Sequence, residues 1–363
     1  MYSDDYVESI MFPKVAVVIL NYNGRRCLGK LLDESIESAL NQTYPDIEVI
    51  FADNGSQDDS VEYVAKKYGN KVKIVVLGNN YGFCHGNNIA VQYASYDVEY
   101  VLFLNPDAVI RNDYVEKLVH FMQSDTLIGI AQGLQILSDN SLISPGGLIT
   151  THGKSILINI KQFRSSISGK AMPVLWVSGS AMMIRKGLFD KLGGFSDELF
   201  MYYDEINLCC KALALDYKVM GLLSTTYLHK ASDYRLNLVS WYFNTRNRWL
   251  IVMRYFPARM IPQCFFSLAV DFFATIYQSW KFRKNKNFSS KQWVKLYLRI
   301  IKYLAKNARR EIALRTKSAK CHYIISNYSI RVSIPQIVMD YSRMYDPLQL
   351  KPKIVSYMVK RIV

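Results

Sequence analysis

Acid is what the last third of this chain lacks. Residues 241–363 hold four of the 30 Asp and Glu against 24 Lys and Arg, whereas residues 1–240 hold 26 acids against 21 bases. The tail therefore carries the whole net charge of +15. Such asymmetry implies a polyanion as partner: anionic lipid, nucleic acid or a phosphate-bearing substrate. Cysteine is also sparse. Cys27, Cys84, Cys209, Cys210, Cys264 and Cys321 show neither metal-ligand spacing nor a regular disulfide framework, so they read as reduced thiols that mostly fill the core. No charged start followed by an apolar stretch opens the sequence, and a secretory signal peptide is not expected. An uninterrupted apolar run of spanning length is missing too. The best candidate, 260–280, is broken by Pro262, Gln263 and Asp271, which favours a protein-packed or interfacial segment over a transmembrane one. With half its residues hydrophobic and 21% charged, the chain is neither disordered nor a polytopic membrane protein, and its length suits about two domains.

What is present is an alternation of strands and helices. Apolar runs at 14–20, 47–52, 72–77 and 100–104 each stop at Asn, Asp or Gly, and helical spacing fills 28–40, 58–68 and 86–94. That rhythm predicts a mostly parallel α/β sheet with its loops gathered on one edge. Residues 136–175 are punctuated by Ser, Gly and Thr and read as irregular loops over that edge. Farther on, 176–184 is strand-like, 186–192 a short helix, 204–215 a helix, and 218–228 a strand ending at His229. Beyond residue 241, Trp293, Leu296, Ile300, Ile301 and Leu304 share one helical face, with Lys291, Lys295, Lys302, Lys306 and Arg309 spread around the other. A basic amphipathic helix of this kind suits a membrane surface.

The most informative stretch is Tyr100-Val-Leu-Phe-Leu-Asn-Pro-Asp107, a buried strand that delivers one carboxylate to the sheet edge where open α/β folds place their ligands. A hard oxygen ligand there suits a divalent cation neutralising a diphosphate; the plainer role is capping the next helix. Asn21-Tyr22-Asn23 follows the first strand, where a Tyr ring can stack on a base. Asp53 or Asn54 follows the second, placed for a base N–H or a ribose hydroxyl. Gly82, His85, Asn87 and Asn88 enter a helix whose N-terminal N–H groups favour anions. Asp204 and Glu205 are adjacent acids at a helix start, fit either for general-base work on a sugar hydroxyl or for simple capping. His229 can ligate metal as neutral imidazole.

These motifs, in this order, resemble family 2 inverting glycosyltransferases of the GT-A fold, in the branch often labelled rhamnosyltransferase-like. The resemblance rests on Val17-Val-Ile-Leu-Asn-Tyr-Asn-Gly24, Phe51-Ala-Asp-Asn-Gly-Ser56, Asn80-Tyr-Gly-Phe-Cys-His-Gly-Asn-Asn88 and Phe103-Leu-Asn-Pro-Asp107. It continues through Val177-Ser-Gly-Ser-Ala-Met-Met-Ile184, Gly193-Gly-Phe195 and Tyr203-Asp-Glu-Ile-Asn-Leu-Cys209 to His229, covers about residues 14–250, and takes in Arg246-Asn247-Arg248. It implies an N-terminal extension over 1–13 and a Rossmann-like catalytic domain over 14–240, with a nucleotide-sugar half to about 110 and an acceptor half after it. A basic, mainly helical, membrane-associating extension follows over 241–363.

By the same resemblance, Asp107 is the last carboxylate of an Asp-x-Asp-type motif holding Mg2+ or Mn2+ on a nucleotide-diphosphate sugar. Asn105 stands in a preceding position, and His229 can complete the metal shell. Tyr22, Asp53 and Asn54 fall at the base, and Asn87 and Asn88 flank ribose and diphosphate. Ser178, Gly179 and Ser180, with Gly193, Gly194 and Phe195, line the acceptor side. Similar enzymes usually read Glu-Asp-x-Asp-Leu, where this chain reads Asp204-Glu205-Ile206-Asn207-Leu208. Glu205 is the base by register, or Asp204 if the helix start is rotated. The implied reaction is transfer to a lipid-linked glycan or polysaccharide hydroxyl by an enzyme held at the cytoplasmic face of the cell membrane by its tail. A sugar nucleotidyltransferase is the alternative enzyme, but Asn21-Tyr22-Asn23-Gly24-Arg25-Arg26 matches its loop poorly. A degenerate sugar-nucleotide-binding scaffold is the non-enzyme alternative. Nucleic acid is not the expected partner, because no aromatic platform interleaves the basic residues.

Overall fold

The computed structural model describes residues 12–137, 142–162, 169–230, 238–281, 290–316, 325 and 329–330. The chain opens with β1 (Lys14–Asn21), α1 (Gly24–Leu28), α2 (Lys30–Leu40), β2 (Ile47–Asp53), α3 (Ser60–Tyr68), β3 (Lys73–Val76), α4 (Gly82–Val91) and β4 (Val98–Leu104). These four strands form the expected parallel array, in the order β3, β2, β1, β4. The order reverses beside β1, so the carboxyl ends of β1, β2 and β4 open onto one crevice.

Period-2 geometry sorts the side chains of β1 between two layers. Ala16 and Val18 join a core with Cys84 and Ala90 of α4, while Val15, Val17 and Ile19 join a second core with Leu32 and Ile36 of α2. Covered on both faces, β1 is apolar along nearly its whole length, as a central parallel strand must be.

Past β4 the sheet turns mixed. Next come β5 (Ala108–Ile110), α5 (Tyr114–Gln123) and β6 (Ile128–Leu137), followed by β7 (Ile143–Ser144), β8 (Gly147–Thr150), β9 (Ser155–Leu157) and β10 (Ala171–Pro173). The irregular loops expected over 136–175 are, where described, interspersed with short strands. β8 and β9 make an antiparallel pair whose Leu148, Ile149 and Ile156 are buried. Strands of two to four residues lie below the length at which alternation can be read. Within the expected strand over 176–184, only β11 (Ala181–Arg185) is strand, inserted antiparallel between β4 and β6. Then follow α6 (Lys186–Lys191), α7 (Asp204–Ala214) and β12 (Lys218–His229).

Three helices follow: α8 (Leu238–Tyr255), α9 (Ile261–Lys281) and α10 (Ser290–Thr316). They are continuous with the core around the sheet. Trp249, Leu250, Ile251 and Val252 of α8 sit in the same buried cluster as α4 and α7. Arg248 of α8 pairs with buried Asp271 of α9, and Arg254 of α8 pairs with Glu311 of α10 at 2.5 Å. Asp271, which breaks the apolar run at 260–280, thus serves an internal ion pair. Among the described residues, no helix is long and apolar enough to cross a membrane. A short strand, β13 (Ser329–Ile330), pairs in parallel with β8.

Candidate active site

The turns after β1 and β2 lock each other. Asn21 Nδ2 donates to Asp53 Oδ1 at 2.9 Å and to Ser56 Oγ at 3.1 Å, while the Ser56 amide donates to Asp53 Oδ2 at 2.9 Å. Asn23, in the left-handed region at φ 55°, accepts from the Gln57 amide through Oδ1 at 2.8 Å. Asn21, Asn23, Asp53 and Asn54 are buried, whereas the Tyr22 ring stands 46% exposed at the rim. Asn54 accepts from the Tyr81 amide and donates to the Gly82 carbonyl, which fastens the turn before α4. Of this group Tyr22 is the one projecting freely, and the amides set the loop shapes around it. Asn87 donates back to the Phe83 carbonyl within α4. Asn88 donates to the Phe195 carbonyl and Asp197 and accepts from the Phe195 amide. That staple ties α4 to the Gly193-Gly194 turn. His85 Nδ1 lies 2.9 Å from Asp197 Oδ2.

Asp107 meets His229 through strand pairing. β5 runs antiparallel to β12, placing His229 opposite Ala108, and the Lys230 amide donates to the Asp107 carbonyl at 3.0 Å. The side chains approach to 3.3 Å, Asp107 Oδ1 to His229 Nε2. Two donors about 3 Å apart suit adjacent positions on a cation with ligands at about 2.1 Å. Among the described residues no third His, Cys, Asp or Glu joins them. The remaining positions would fall to phosphate oxygens and water, the usual arrangement for Mg2+. Behind the imidazole, Gln135 of β6 sits with Nε2 3.1 Å from His229 Nδ1, while its own Oε1 is buried without a partner.

Asp204 and Glu205 open α7 across a turn from Asp107. The Asn105 amide donates to the Ser180 carbonyl at 2.9 Å, so the end of β4 is joined to the Ser178-Gly179-Ser180 turn. On the far side of that turn, a Cβ added at Gly179 would lie 3.1 Å from the Phe83 ring and 3.9 Å from Asp204 Oδ2. Glycine lets the turn pass this close to the Phe83 ring. Ser178 and Ser180 share a 2.8 Å hydrogen bond, and Ser180 meets the Tyr227 hydroxyl at 2.9 Å. Burial pushes the Asp204 carboxyl up to about 6. Burial and then the neighbouring Asp204 charge push Glu205 well above the usual carboxylate range. The two carboxyls therefore titrate as a pair, sharing a proton in preference to ionising together.

The segment leading into α7 is strained. Phe200, Tyr202 and Tyr203 all have φ between 61° and 66°, a region that costs side-chain-bearing residues roughly 1–3 kcal/mol each. Asn247 of α8 offsets this. Fully buried, its Nδ2 lies 2.8 Å from each of the Leu199, Met201 and Tyr202 carbonyls, which share its two N–H groups. Arg246 adds bonds to the Glu198 and Leu199 carbonyls. Gly82 fits against the same segment at φ 75°, where a Cβ would come within 2.5 Å of the Phe200 ring. Asn247→Ala is expected to lose about 2–3 kcal/mol of stability by stranding buried carbonyls, read as a lower urea midpoint; an unchanged midpoint would show the clamp to be dispensable.

Asn105, Asp107, His229, Ser178, Gly179, Ser180 and the Asp204–Glu205 pair are thus linked through one turn. Phe195, expected on the acceptor side, is 1% exposed and packs edge-on against Phe83, Phe103 and Phe189. Sequence reading missed Gln135 and the clamp made by Asn247. Gln135 carries no local signal, since a lone Gln in a strand is unremarkable. Asn247 had one, because Arg246-Asn247-Arg248 puts three polar residues together in a helix otherwise rich in aromatics.

Residues 16–193 match the Glycosyl transferase family 2 model. The hexosyltransferase Agl10 of low-salt glycan biosynthesis from Haloferax volcanii is 26% identical over 222 residues, covering 57% of this chain and 64% of that protein. The rhamnosyltransferase WbbL of Escherichia coli is 30% identical over 149 residues, covering 38% of this chain and 56% of its own length. The matches thus span less than two thirds of either relative. In three dimensions a crystal structure of GalNAc-T7 with UDP, GalNAc and Mn2+ aligns over 83% of this chain and 58% of its own, at TM-score 0.58 and 15% identity, which shows the shared GT-A fold. With a parallel four-stranded half, an Asn-Pro-Asp turn at its edge and paired acids opening α7, the chain carries a glycosyl transferase family 2 domain over residues 16–193.

Proposed function

We propose that this chain moves a hexosyl or deoxyhexosyl group, with inversion, from a nucleotide-diphosphate sugar to a hydroxyl of a glycan carried on a lipid. The observation that carries the reading is the placement of two acidic centres on either side of the Ser178–Ser180 turn: Asp107 with His229, and Asp204 with Glu205. The names of the similar hexosyl- and rhamnosyltransferases support the donor class. Tyr22 would stack on the base at the rim, and the locked 21–24 and 53–57 turns would hold its cradle.

Asp107 and His229 would hold Mg2+ or Mn2+, which when bound neutralises the diphosphate. Asp204 takes the acceptor proton as that oxygen bonds to the anomeric carbon. The bond from carbon to phosphate oxygen breaks, and its electron pair leaves with the diphosphate. Glu205, sharing a proton with Asp204, would keep it oriented. Charge on the 241–363 tail would hold the enzyme against an anionic cytoplasmic membrane face.

Gln135 fixes which His229 nitrogen carries the proton. With the amide turned over, Oε1 would accept from Nδ1–H and leave the Nε2 lone pair facing Asp107. Gln135→Leu is expected to weaken Mn2+ binding about 10- to 100-fold, as loss of such orienting contacts does, read by Mn2+ paramagnetic resonance without any donor sugar; unchanged affinity would show that Gln135 does not orient His229 for the metal. For the function itself, titrating nucleoside diphosphates with Mn2+ present, paired with slow hydrolysis of a panel of radiolabelled sugar nucleotides, is the test. Binding without hydrolysis or transfer would leave a sugar-nucleotide-binding scaffold, and absence of binding would end the proposal.

A further inference from the structure

The chemistry above makes no use of a groove of about 830 Å3 between α8 and α10. Its floor is apolar, made by Leu238, Tyr242 and Phe243 of α8 and Leu296 of α10. Its wall is a row of cations, Lys295, Arg299, Lys302 and Lys306, repeating every three or four residues and so sharing one face of α10. None of the four has a carboxylate within ion-pair distance among the described residues, because Asp271 and Glu311 already pair with Arg248 and with Arg254 and Arg310. From the same helix Leu298 and Ile301 stand 61% and 52% exposed.

An open apolar floor and a row of like charges paired by no described carboxylate are both unfavourable in water. One class of ligand relieves both: an apolar chain lying on the floor with a phosphate at the cationic wall. A free nucleotide would answer the charge and leave the floor wet, and an uncharged lipid would do the reverse. The groove is also joined to the acid pair. Phe243 stacks on Phe200 with ring centroids 4.8 Å apart, three residues before the strained Tyr203 that precedes Asp204. Beneath the floor, Arg246 lies 4.7 Å from the rings of both Phe243 and Tyr303 while it donates to the Leu199 carbonyl.

We infer that the α8–α10 groove binds the carrier end of the acceptor, a long-chain lipid phosphate of the polyprenyl type, and presents its glycan to the Asp204 side. Naming that occupant rests on the transferase reading above; the existence of a lipid-phosphate site does not.

The test uses the full chain and no donor sugar. Flotation is measured with phosphatidylcholine vesicles containing a little polyprenyl phosphate, and with phosphatidylglycerol vesicles matched in surface charge. Polyprenyl phosphate vesicles are expected to bind at least about tenfold tighter, a difference of roughly 1.4 kcal/mol. Arg299→Glu/Lys302→Glu should abolish that preference, as should Val239→Asp on the opposite wall, with Tm and nucleoside diphosphate binding unchanged. Equal binding to both vesicles would assign the cations to bilayer charge in general, and wild-type selectivity in the variants would place the site elsewhere. Either result overturns the groove. Loss of nucleotide binding in the unmutated protein would instead refute the transferase reading and leave the vesicle result standing.

Discussion

Asp204→Asn is expected to lower transfer by about 100- to 10,000-fold, the range for removing a general base, with the affinity for nucleoside diphosphate unchanged. Glu205→Gln should cost less than about tenfold, because a Gln amide still donates to Asp204. A reversed pattern, with Glu205 indispensable and Asp204 tolerant, would hand the base role to Glu205. The pH profile gives a second handle. Burial raises the Asp204 carboxyl to about 6, so the rate should fall as pH drops through about 6 and the base becomes protonated. The same shift acts on stability with the opposite sense. Between about 4 and 6 the folded state holds more of this proton than the unfolded state, so the contribution of Asp204 to stability declines as pH rises through that window. Asp204→Asn should therefore raise Tm by a few degrees at pH 7.5 and change it little at pH 4. Loss of activity with that gain in stability would separate a base from a mere structural cap, whose removal lowers Tm.

Arg254→Met should destabilise the protein by about 3–5 kcal/mol, the usual consequence of removing one member of a buried ion pair. Arg254 Nε lies 2.5 Å from Glu311 Oε2, its Nη2 lies 2.6 Å from Glu198 Oε1, and its Nη1 reaches Asn207 Oδ1 at 3.3 Å. Glu311 is 0% exposed, so without the guanidinium its charge has, among the described residues, only the half-exposed Arg310 as ion-pair partner. The double variant Arg254→Met/Glu311→Met should recover most of the loss, since it is the unpaired charge rather than the missing attraction that costs most. Urea unfolding followed by tryptophan fluorescence reports this directly, with Trp241 and Trp249 on α8 and Trp293 on α10. A single variant as stable as the wild type would show that α10 is not bolted to the core through Arg254. Asn207, at a position where the resemblance implies Asp, accepts from the Tyr255 hydroxyl at 2.7 Å and donates to Ser196 at 2.8 Å. Its neutral side chain serves the same α7–α8 contact.

By itself the sequence determined the elements whose signals are local. The four parallel strands, their Asn- and Asp-ended turns and the paired acids at a helix start all follow from hydrophobic periodicity and turn chemistry within a dozen residues. The broken apolar run at 260–280 was legible for the same reason, since Asp271 cannot face lipid unpaired. Tertiary structure decided whatever depends on distant pairing. Asp107 meets His229 only because β5 finds β12, over 110 residues later. The strands between 143 and 173 are too short to show a period and exist because neighbours supply their hydrogen bonds. Protonation of the Asp204–Glu205 pair is set by burial beneath a strained segment that α8 holds in place. The tail was read as a basic extension from its charge, yet Arg246, Arg248 and Arg254 point inward and join it to the core. Composition counts charges, and only packing decides which of them water still reaches.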